Sequence, residues 1–561
     1  MENQIIECVP NFSEGGNQTI INAIAKSIEQ SEGVKLLDVD PGKATNRTVM
    51  TFVGAPDKVI NAAFNAMKTA SELIDMSTHS GEHPRMGATD VCPMIPIANI
   101  SLEETAEWAH KLGKRVGREL DFPVYMYESA ATISSRKNLA TVRRGEYEAL
   151  PEKLKKAGWK PDYGQAQFNP KAGATAIGAR DFLIAYNVNL NSTSVKRANS
   201  VAFDIRERGR IKRKGHPVTG TIVKLKNGQP ARTKGKCKSV KAIGWFIEEY
   251  GVSQISMNLT NTNHTPLHVA FEACRDSARK RGLRVTGSEL VGLVPLKVML
   301  DAGRFYLNKQ NRSLGISEEE TIHIAVKSLG LDEFVPFDPK KKIIEYHLRD
   351  ELLSPLINST LRQFANETAS ESPAPGGGSI AAYVGALGVA LGTMVANLST
   401  VKKGWEDKVA TFSKWAAEGQ KIKVTLLSYV DEDTHAFNGI IDAMRLPKES
   451  AAEKSLRAKA IQSATKNAIE VPLKVMRTSN QAFDLLKAMA EKGNPNSASD
   501  AGVGALNVRA AIHGAYLNVK INVPGLKDAK YVKSALAEAK KLAANADKME
   551  KVILKLVEKA I

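Results

Sequence analysis

The chain has 561 residues, enough for three or four domains of ordinary size. With 43% hydrophobic and 25% charged residues, its composition is that of a soluble globular protein. The four cysteines are scattered and form no C-x-x-C pair, and the acidic first residues lack the basic start of a signal peptide. We therefore expect a protein of the reducing cytoplasm.

The net charge of +18 is concentrated in one segment. Residues 206–241 contain thirteen Lys or Arg residues and a single acid, Glu207. A solvated basic loop would have the same composition, and a nucleic-acid interface requires more than charge. No aromatic residue occurs between Arg206 and Trp245. No helix-turn-helix or zinc-finger pattern surrounds the segment. We therefore do not expect nucleic acid as the partner, and a small polyanionic ligand suits the segment equally well.

The first third of the chain alternates strand and helix signals. Residues 34–39, 48–53 and 123–127 are predicted strands, and apolar spacing over 57–73 predicts a helix. A second unit opens with a buried strand at 182–190 and repeats the mixture up to about residue 346. Two α/β units in tandem favour a ligand cleft between them.

Within the first unit, residues 81–90 form a turned segment around a histidine. Gly81, Pro84 and Gly87 cannot share one regular helix, so His83 lies on a loop beside Arg85 and other charged residues. A loop histidine that titrates near neutral pH is a candidate acid–base catalyst. The alternative is a solvated turn with an ordinary histidine.

The same segment fits the inverted zinc-peptidase pattern H-x-x-E-H, from His79 to His83. That pattern binds a metal only on a helix, where residues four apart share a face. Gly81 and Pro84 argue against a helix here, so we expect no metal.

After about Arg349 the chain becomes rich in Ala, Lys and Leu, which predicts a helical bundle. An apolar run at 380–396 is short for a membrane span, so we expect a buried helix and no membrane. The last segment carries an apolar helical stripe formed by Val532, Leu536, Ala539, Ala543, Ala546, Ile553 and Val557.

Before the apolar run stands a glycine-rich turn, Gly376, Gly377 and Gly378. Such a turn at a helix start offers free backbone N–H groups to an anion or a heterocycle. It lacks the lysine of a phosphate-binding loop and does not follow a strand, so the nucleotide-binding motifs do not fit. A flexible hinge is the alternative.

Further along, Asp433 lies on the same predicted helix face as five apolar residues. A carboxylate on an apolar stripe is costly to bury and would have a raised pKa, which suits proton transfer. Asp431, about 200° around the helix, is predicted on a more polar face. The alternative is a buried aspartate paired with a lysine. The five apolar residues are Leu426, Val430, Phe437, Ile440 and Met444.

Taken in order, seven segments identify a family. The chain resembles the formiminotransferase-cyclodeaminases along nearly its whole length. The resemblance implies a fold of two α/β subdomains that form a transferase, at 1–181 and 182–348, then a linker at 349–354 and an all-helical cyclodeaminase at 355–561. The seven segments are residues 7–15, 36–40, 81–93, 145–151, 287–296, 374–379 and 431–437.

By the family's pattern, His83 matches the catalytic histidine of the transferase, Asp433 the catalytic aspartate of the cyclodeaminase, and Asp40 an aspartate that supports the first site. The chain departs from the pattern between about Arg210 and Lys238, so a second folate contact there is not carried over. The family's folate-binding segment falls on Gly164, Gln165, Ala166, Gln167, Phe168, Asn169, Pro170, Lys171, Ala172 and Gly173.

The resemblance implies transfer of a formimino group from N-formimino-L-glutamate to N5 of tetrahydrofolate, followed by cyclisation to 5,10-methenyltetrahydrofolate with loss of ammonia. Tetrahydrofolate, which we expect to be polyglutamylated, is the co-substrate, and no metal is required. The family also implies a homo-oligomer built from dimers, for which a small-residue helix face at Gly385, Gly388 and Gly392 would be suited. A formylglutamate donor with a cyclohydrolase is an open alternative, and a folate- or RNA-binding protein is a more remote one.

Overall fold

The computed structural model of the protein describes residues 4–42, 46–80, 84–215, 219–248, 250–348, 355–372 and 374–561. The chain divides into two compact units. The mixed unit contains Met1–Met299 and Leu329–Arg349, and the helical unit contains Leu300–Ser328 and Asp350–Ile561.

The first part of the mixed unit is a sheet of seven strands with helices against one face. The strands are β1 (Ile5–Cys8), β2 (Asn11–Phe12), β3 (Val34–Gly42), β4 (Arg47–Gly54), β5 (Thr89–Ala98), β6 (Val124–Glu128) and β7 (Thr175–Ala179). The helices are α1 (Gln18–Glu29), α2 (Pro56–Leu73), α3 (Leu102–Glu119) and two short ones, α4 (Leu139–Val142) and α5 (Leu150–Lys153).

In this sheet β1 and β2 both lie between β4 and β5. Strand β3 flanks β4, and β7 and β6 follow β5 as parallel neighbours, whereas the other pairs are antiparallel. Helices α1, α2 and α3 cover one face, against Ile6, Cys8 and Phe52. The opposite face, called the second face below, is partly covered by α4 and α5. All four elements predicted in this region are present.

A second sheet, of four antiparallel strands, completes the mixed unit in the order β13-β14-β8-β15. The predicted strand at 182–190 is β8, with Tyr186, Val188 and Leu190 fully buried. The strands are β8 (Ile184–Leu190), β13 (Val240–Ile247), β14 (Val252–Leu259) and β15 (Val285–Val291), and the helices are α6 (Val195–Ile205), α7 (Leu267–Arg279), α10 (Pro339–Lys342) and α11 (Ile344–Leu348). Helices α8 (Leu296–Lys309) and α9 (Glu318–Leu329) follow β15 in the chain and lie mostly in the helical unit.

The basic segment lies between α6 and β13 and forms two small antiparallel pairs. They are β9 (Arg210–Ile211) with β12 (Arg232–Thr233), and β10 (Arg213–Lys214) with β11 (Thr221–Ile222). Residues 216–218 lie outside the described part. The lysines in the described part of the basic segment are exposed, so their charge is available to a ligand.

The helical unit is built from long helices around one apolar core, as its composition predicts. The predicted stripe of the last helix is buried or half-buried along its length. These helices are α12 (Leu361–Thr368), α13 (Gly377–Thr400), α14 (Val409–Arg445), α15 (Ala451–Lys492), α16 (Ala498–Asn522) and α17 (Ala529–Glu558).

Helix α13 holds the apolar run and is the single helix among the described residues that is long and apolar enough to cross a membrane. In its most apolar window 61% of the residues are buried within the protein, which is typical of a core helix. Its glycines pack inside the same chain: Gly388 approaches the backbone of Gly504, and Gly392 approaches Leu486. The small-residue face therefore serves the packing of α13 within one subunit rather than between subunits.

Residues 300–328 belong to the helical unit although they precede the predicted linker. Three side chains of the helical unit form hydrogen bonds with the backbone of the loop between α8 and α9. Ser413 Oγ accepts from Leu314 N at 2.9 Å, and the carbonyl of Gly315 accepts from Asn397 Nδ2 at 2.8 Å and from Gln420 Nε2 at 3.1 Å.

Candidate active sites

The loop that carries the predicted catalytic histidine is fixed at both ends. Residues 81–83, and so His83 itself, lie outside the described residues. Before them, the carbonyl of Ser80 accepts from Asn46 Nδ2 at 2.7 Å. After them, the guanidinium of Arg85 binds Glu148 at 2.6 and 2.9 Å and Glu146 at 3.2 Å. The described residues on either side of 81–83 are therefore both anchored within the mixed unit.

Asp90 ends this loop and is 1% exposed. Its carboxylate accepts from Met86 N at 3.0 Å and is paired with the guanidinium of Arg143. Burial raises the pKa of Asp90, and the charge and hydrogen bonds of Arg143 oppose that rise. The pair therefore ties the loop backbone to the residue that follows α4.

Asp40 lies near the end of β3 and is exposed. It pairs with Val49 of β4, which pairs on its other side with Asn11 of β2, so all three share the second face. Arg47, at the start of β4, donates from Nη1 to Asn11 Oδ1 at 2.8 Å. Asp40 thus lies on the strand next to Arg47, while its predicted contact with His83 falls outside the described residues.

The predicted folate segment, residues 164–173, is paired with the backbone just after the histidine loop. Gly173 bridges Gly87, Ala88 N donates to the carbonyl of Ala172 at 2.9 Å, and Ala174 N donates to that of Met86 at 3.0 Å. A side chain at Gly173, where φ is +69°, would overlap the Met86 carbonyl. Two segments far apart in sequence are therefore brought side by side.

Tyr147 contacts the folate segment at Phe168 and Pro170. The Tyr147 hydroxyl donates to the carbonyl of Pro170 at 2.6 Å, and its ring lies 5.4 Å from that of Phe168. The first residues of the segment, 164–167, are exposed. The segment therefore has a fixed end beside the histidine loop and a solvent-facing end.

In the helical unit, the glycine turn and Asp433 meet. Ser379, at the start of α13, donates from its backbone N to Asp433 Oδ2 at 2.8 Å and from its hydroxyl at 3.2 Å. A side chain at Gly378 would overlap the Asp433 carboxylate, and one at Gly377 would approach Asn518. Room for Asp433 is therefore one reason why this turn lacks side chains.

Burial raises the pKa of Asp433, and the two hydrogen bonds from Ser379 oppose the rise. No cation is paired with Asp433 among the described residues, and the nearby Lys474 pairs with Glu432, so the alternative of an aspartate paired with a lysine is not seen there. A half-buried carboxyl with a raised pKa, placed against the start of a neighbouring helix, is suited to accept and return a proton.

The prediction for Asp431 was wrong. Asp431 is 4% exposed, and its two oxygens accept from Leu356 N at 3.0 Å and Ile357 N at 3.2 Å. Conversely, Phe437 and Met444 of the predicted apolar stripe are 41% and 53% exposed. The partner of Asp431 is backbone that enters from another part of the chain, which helix periodicity cannot reveal.

Of the zinc pattern, the structure describes His79 alone. Both ring nitrogens of His79 are engaged: Arg85 Nε donates to Nδ1 at 3.3 Å, and Nε2 lies 3.0 Å from the carbonyl of Asn46. The other two members of the pattern fall in residues 81–83, outside the described part. Over the residues that are described, no three His, Cys, Asp or Glu side chains are grouped as metal ligands.

Sequence reasoning missed Asn11, Arg47, Arg143 and Ser379 as members of the two sites. Asn11 and Ser379 lie inside segments that carry the resemblance, so their position was a usable signal. Arg47 and Arg143 are ordinary arginines in sequence and become notable only through their contacts.

Comparison with known proteins covers both units. The family model described as "Formiminotransferase domain, N-terminal subdomain" matches residues 5–180, "Formiminotransferase domain" matches 185–349, and "Formiminotransferase-cyclodeaminase" matches 360–541. The mouse formimidoyltransferase-cyclodeaminase is 44% identical over 96% of this chain and 98% of its own length. The glutamate formimidoyltransferase of Streptococcus pyogenes is 41% identical over 55% of this chain and 95% of its own. The methenyltetrahydrofolate cyclohydrolase of Methylorubrum extorquens is 37% identical over 36% of this chain and 98% of its own.

Proposed function

The chain belongs to the formimidoyltransferase-cyclodeaminase family, and from that premise we propose how its residues carry out the two reactions. The first moves a formimino group from N-formimino-L-glutamate to N5 of tetrahydrofolate. The second closes 5-formiminotetrahydrofolate to 5,10-methenyltetrahydrofolate and releases ammonia. The observation that carries the proposal is the pairing of the folate segment with the histidine loop through Gly173 and Gly87.

In the transferase, N5 of the folate attacks the amidine carbon, and the bond from that carbon to the glutamate nitrogen breaks. N5 loses a proton and the departing amine gains one, so a single base can serve both steps. His83 is our candidate, with Asp40 supporting its charged form as a triad aspartate does. Residues 164–173 hold the folate against the loop, and the fixed position of the two substrates supplies much of the rate.

In the cyclodeaminase, N10 attacks the carbon of the N5 formamidinium group. N10 loses its proton, the carbon–nitrogen bond to the terminal nitrogen breaks, and ammonia leaves with the transferred proton. Asp433 can move this proton from N10 to the leaving nitrogen. The turn at Gly376, Gly377 and Gly378 leaves room for Asp433 and contacts the folate beside it.

A second candidate function is favoured by one of the relatives. The M. extorquens protein is named a methenyltetrahydrofolate cyclohydrolase, and a cyclohydrolase exchanges water where a cyclodeaminase releases ammonia. In this chain the corresponding pair would be a formylglutamate donor and a cyclohydrolase. The remote alternative, a folate- or RNA-binding protein, leaves the placement of Asp433 against Ser379 unexplained.

The assay for these proposals uses the purified protein with tetrahydrofolate and either donor. Formiminoglutamate should yield one ammonia for each 5,10-methenyltetrahydrofolate formed. Turnover of formylglutamate without ammonia would identify the alternative pair of reactions. Turnover of neither donor by a folded protein would overturn the assignment of function.

The basic segment is proposed to hold the glutamate tail of polyglutamylated folate in a cytoplasmic homo-oligomer. Each exposed contact is weak, on the order of 0–1 kcal/mol, but several together favour long tails. Changing the six basic residues below to Gln should raise KM for polyglutamylated folate and spare the monoglutamate. An unchanged dependence on tail length would dismiss this role. The six are Lys212, Arg213 and Lys214, in or next to β10, and Lys234, Lys236 and Lys238, which follow β12.

A further inference from the structure

Two arginines lie on the second face of the first sheet, beside the histidine loop. Arg47 begins β4 and is held by Asn11 Oδ1 at 2.8 Å. Arg143 follows α4 and is paired with Asp90 through Nε and Nη2. Strand β2 separates β4 from β5, so the strands that carry Arg47 and Asp90 are roughly 10 Å apart. Arg47 and the pair of Arg143 with Asp90 therefore lie on the same face of the sheet, two strand spacings apart.

A bulge in β5 creates this arrangement. Asn11 pairs with Val91 but Phe12 pairs with Thr89, so Asp90 is an extra residue between them. A bulge of this kind turns a side chain away from the regular alternation, and bulges are frequent next to active sites. Asp90 thereby faces Arg143 instead of the apolar core under α1–α3.

The two guanidinium groups are close enough to repel. Burial lowers the pKa of Arg47, and the charge of Arg143 is the next largest cause, while Asp90 and Asp40 oppose it. The carboxylate of Asp90 is already occupied by Arg143 and by Met86 N. Like charges held together are stabilised when an anion binds between them.

Resting on the proposed transferase function, we infer that Arg47 and Arg143 bind the two carboxylates of the donor and so select glutamate as the carrier of the transferred group. Arginine suits this task because its planar fork binds a carboxylate through two parallel hydrogen bonds. Arg85 has no part in it, since His79, Glu146 and Glu148 engage all three of its guanidinium nitrogens. Asp90 engages Arg143 through Nε and Nη2 and leaves Nη1 for a ligand.

The first test measures binding without turnover. Glutarate, a dicarboxylate, should bind the wild-type protein more tightly than butyrate, its counterpart with one carboxylate. Arg47→Lys and Arg143→Lys keep the charge but lose the fork, and each should weaken glutarate by roughly 10- to 150-fold. Arg115→Lys is the control, because Arg115 lies on the opposite face of the sheet, half-buried between α2 and α3 with Asn61 and Glu119.

The second test separates binding from folding. Asp90→Asn combined with Arg143→Gln removes both charges of the buried ion pair, so no buried charge is left without a partner. Glutarate binding should stay weak in this variant, and KM for formiminoglutamate should stay high while KM for tetrahydrofolate is unchanged. Recovery of wild-type binding would show that Arg143 only neutralises Asp90, and would overturn the inference.

Donor choice gives the third readout. The ratio of kcat/KM for N-formimino-L-glutamate to that for N-formiminoglycine should fall in each arginine variant. An equal loss on both donors would mean general damage and would contradict carboxylate recognition. If the wild type turned over neither donor yet bound glutarate through these arginines, the proposed reaction would fail while the dicarboxylate site stood.

Discussion

The carboxylate of Asp433 is held by one residue, Ser379, whose backbone N–H and hydroxyl both donate to Oδ2. The single hydroxyl proton is shared between Asp433 Oδ2, at 3.2 Å, and the carbonyl of Val430, at 2.8 Å, so the start of α13 and the middle of α14 are fixed to each other. Gly378 completes the contact by leaving out a side chain. At the scale of single residues, the position of the Asp433 carboxylate therefore depends on the close approach of α13 to α14 at Gly378 and Ser379.

Gly378→Ala tests that fit. The added methyl group overlaps the Asp433 carboxylate and must displace it. A displacement of about 1 Å can lower a rate by about 100-fold, so ring closure should fall by that order while formimino transfer continues. Gly439→Ala is the control. Gly439 lies on α14, the helix that carries Asp433, and no heavy atom lies within 4 Å of its added methyl group. Equal activity of the two variants would refute the role given to the glycine.

Asp433→Asn and Asp431→Asn should differ in kind. The first removes the proton carrier, so 5-formiminotetrahydrofolate should accumulate and ring closure should slow by roughly 10²- to 10⁴-fold. The second leaves a backbone N–H of Leu356 or Ile357 without an acceptor, which should lower the free energy of unfolding by about 1–3 kcal/mol and leave kcat near normal. The ammonia assay and urea unfolding distinguish the two. A larger loss of kcat in Asp431→Asn would reverse the assignment.

Glu7 gives the mixed unit a pH-dependent stability. Burial raises the pKa of Glu7 to about 7, against the opposing charge of Arg180. Between about pH 4.5 and 7 the folded chain keeps a proton that the unfolded chain has released, so the free energy of unfolding falls as pH rises. The total change is roughly 3 kcal/mol. Glu7→Gln cannot ionise and should be more stable than the wild type at pH 8, with a flatter profile by urea unfolding. Parallel profiles would count against this reading.

At the scale of elements, periodicity predicted what depends on local pattern. The strands β3 and β4, the helix α2 and the stripe of α17 all follow from spacing along the chain. Periodicity could not find the bulge at Asp90 or the pairing of Gly87 with Gly173, because each depends on a partner far away in sequence. For the same reason it misjudged the faces of α14: spacing says which residues share a face and not which face is covered.

The loop between α8 and α9 shows another such contact. The carbonyl of Gly315 accepts from Asn397 and Gln420, and a side chain at Gly315 would overlap Ala416. Gly315→Val should therefore destabilise the helical unit by about 1–3 kcal/mol, as overpacking does. Ring closure should then be lost at a lower temperature than formimino transfer. Gly158→Val, where no atom lies within 4 Å, serves as the control, and identical thermal profiles would exclude the contact as a source of stability.

At the scale of the whole molecule, composition alone separated an α/β part from a helical part. The contacts within the structure draw the division differently at residues 300–328, which belong to the helical unit. The two candidate sites lie in different units, with the histidine loop on the first sheet and Asp433 on α14. Each of the two units thus carries one candidate site.

The most direct test measures both reactions, formimino transfer and ring closure, in the His83→Ala protein. His83→Ala should abolish transfer from formiminoglutamate to tetrahydrofolate, because no base remains to move the N5 proton. The same folded protein should still close supplied 5-formiminotetrahydrofolate and release ammonia at a near-normal rate, since Asp433 and Ser379 are untouched. Loss of both activities in a folded His83→Ala protein would contradict two independent sites.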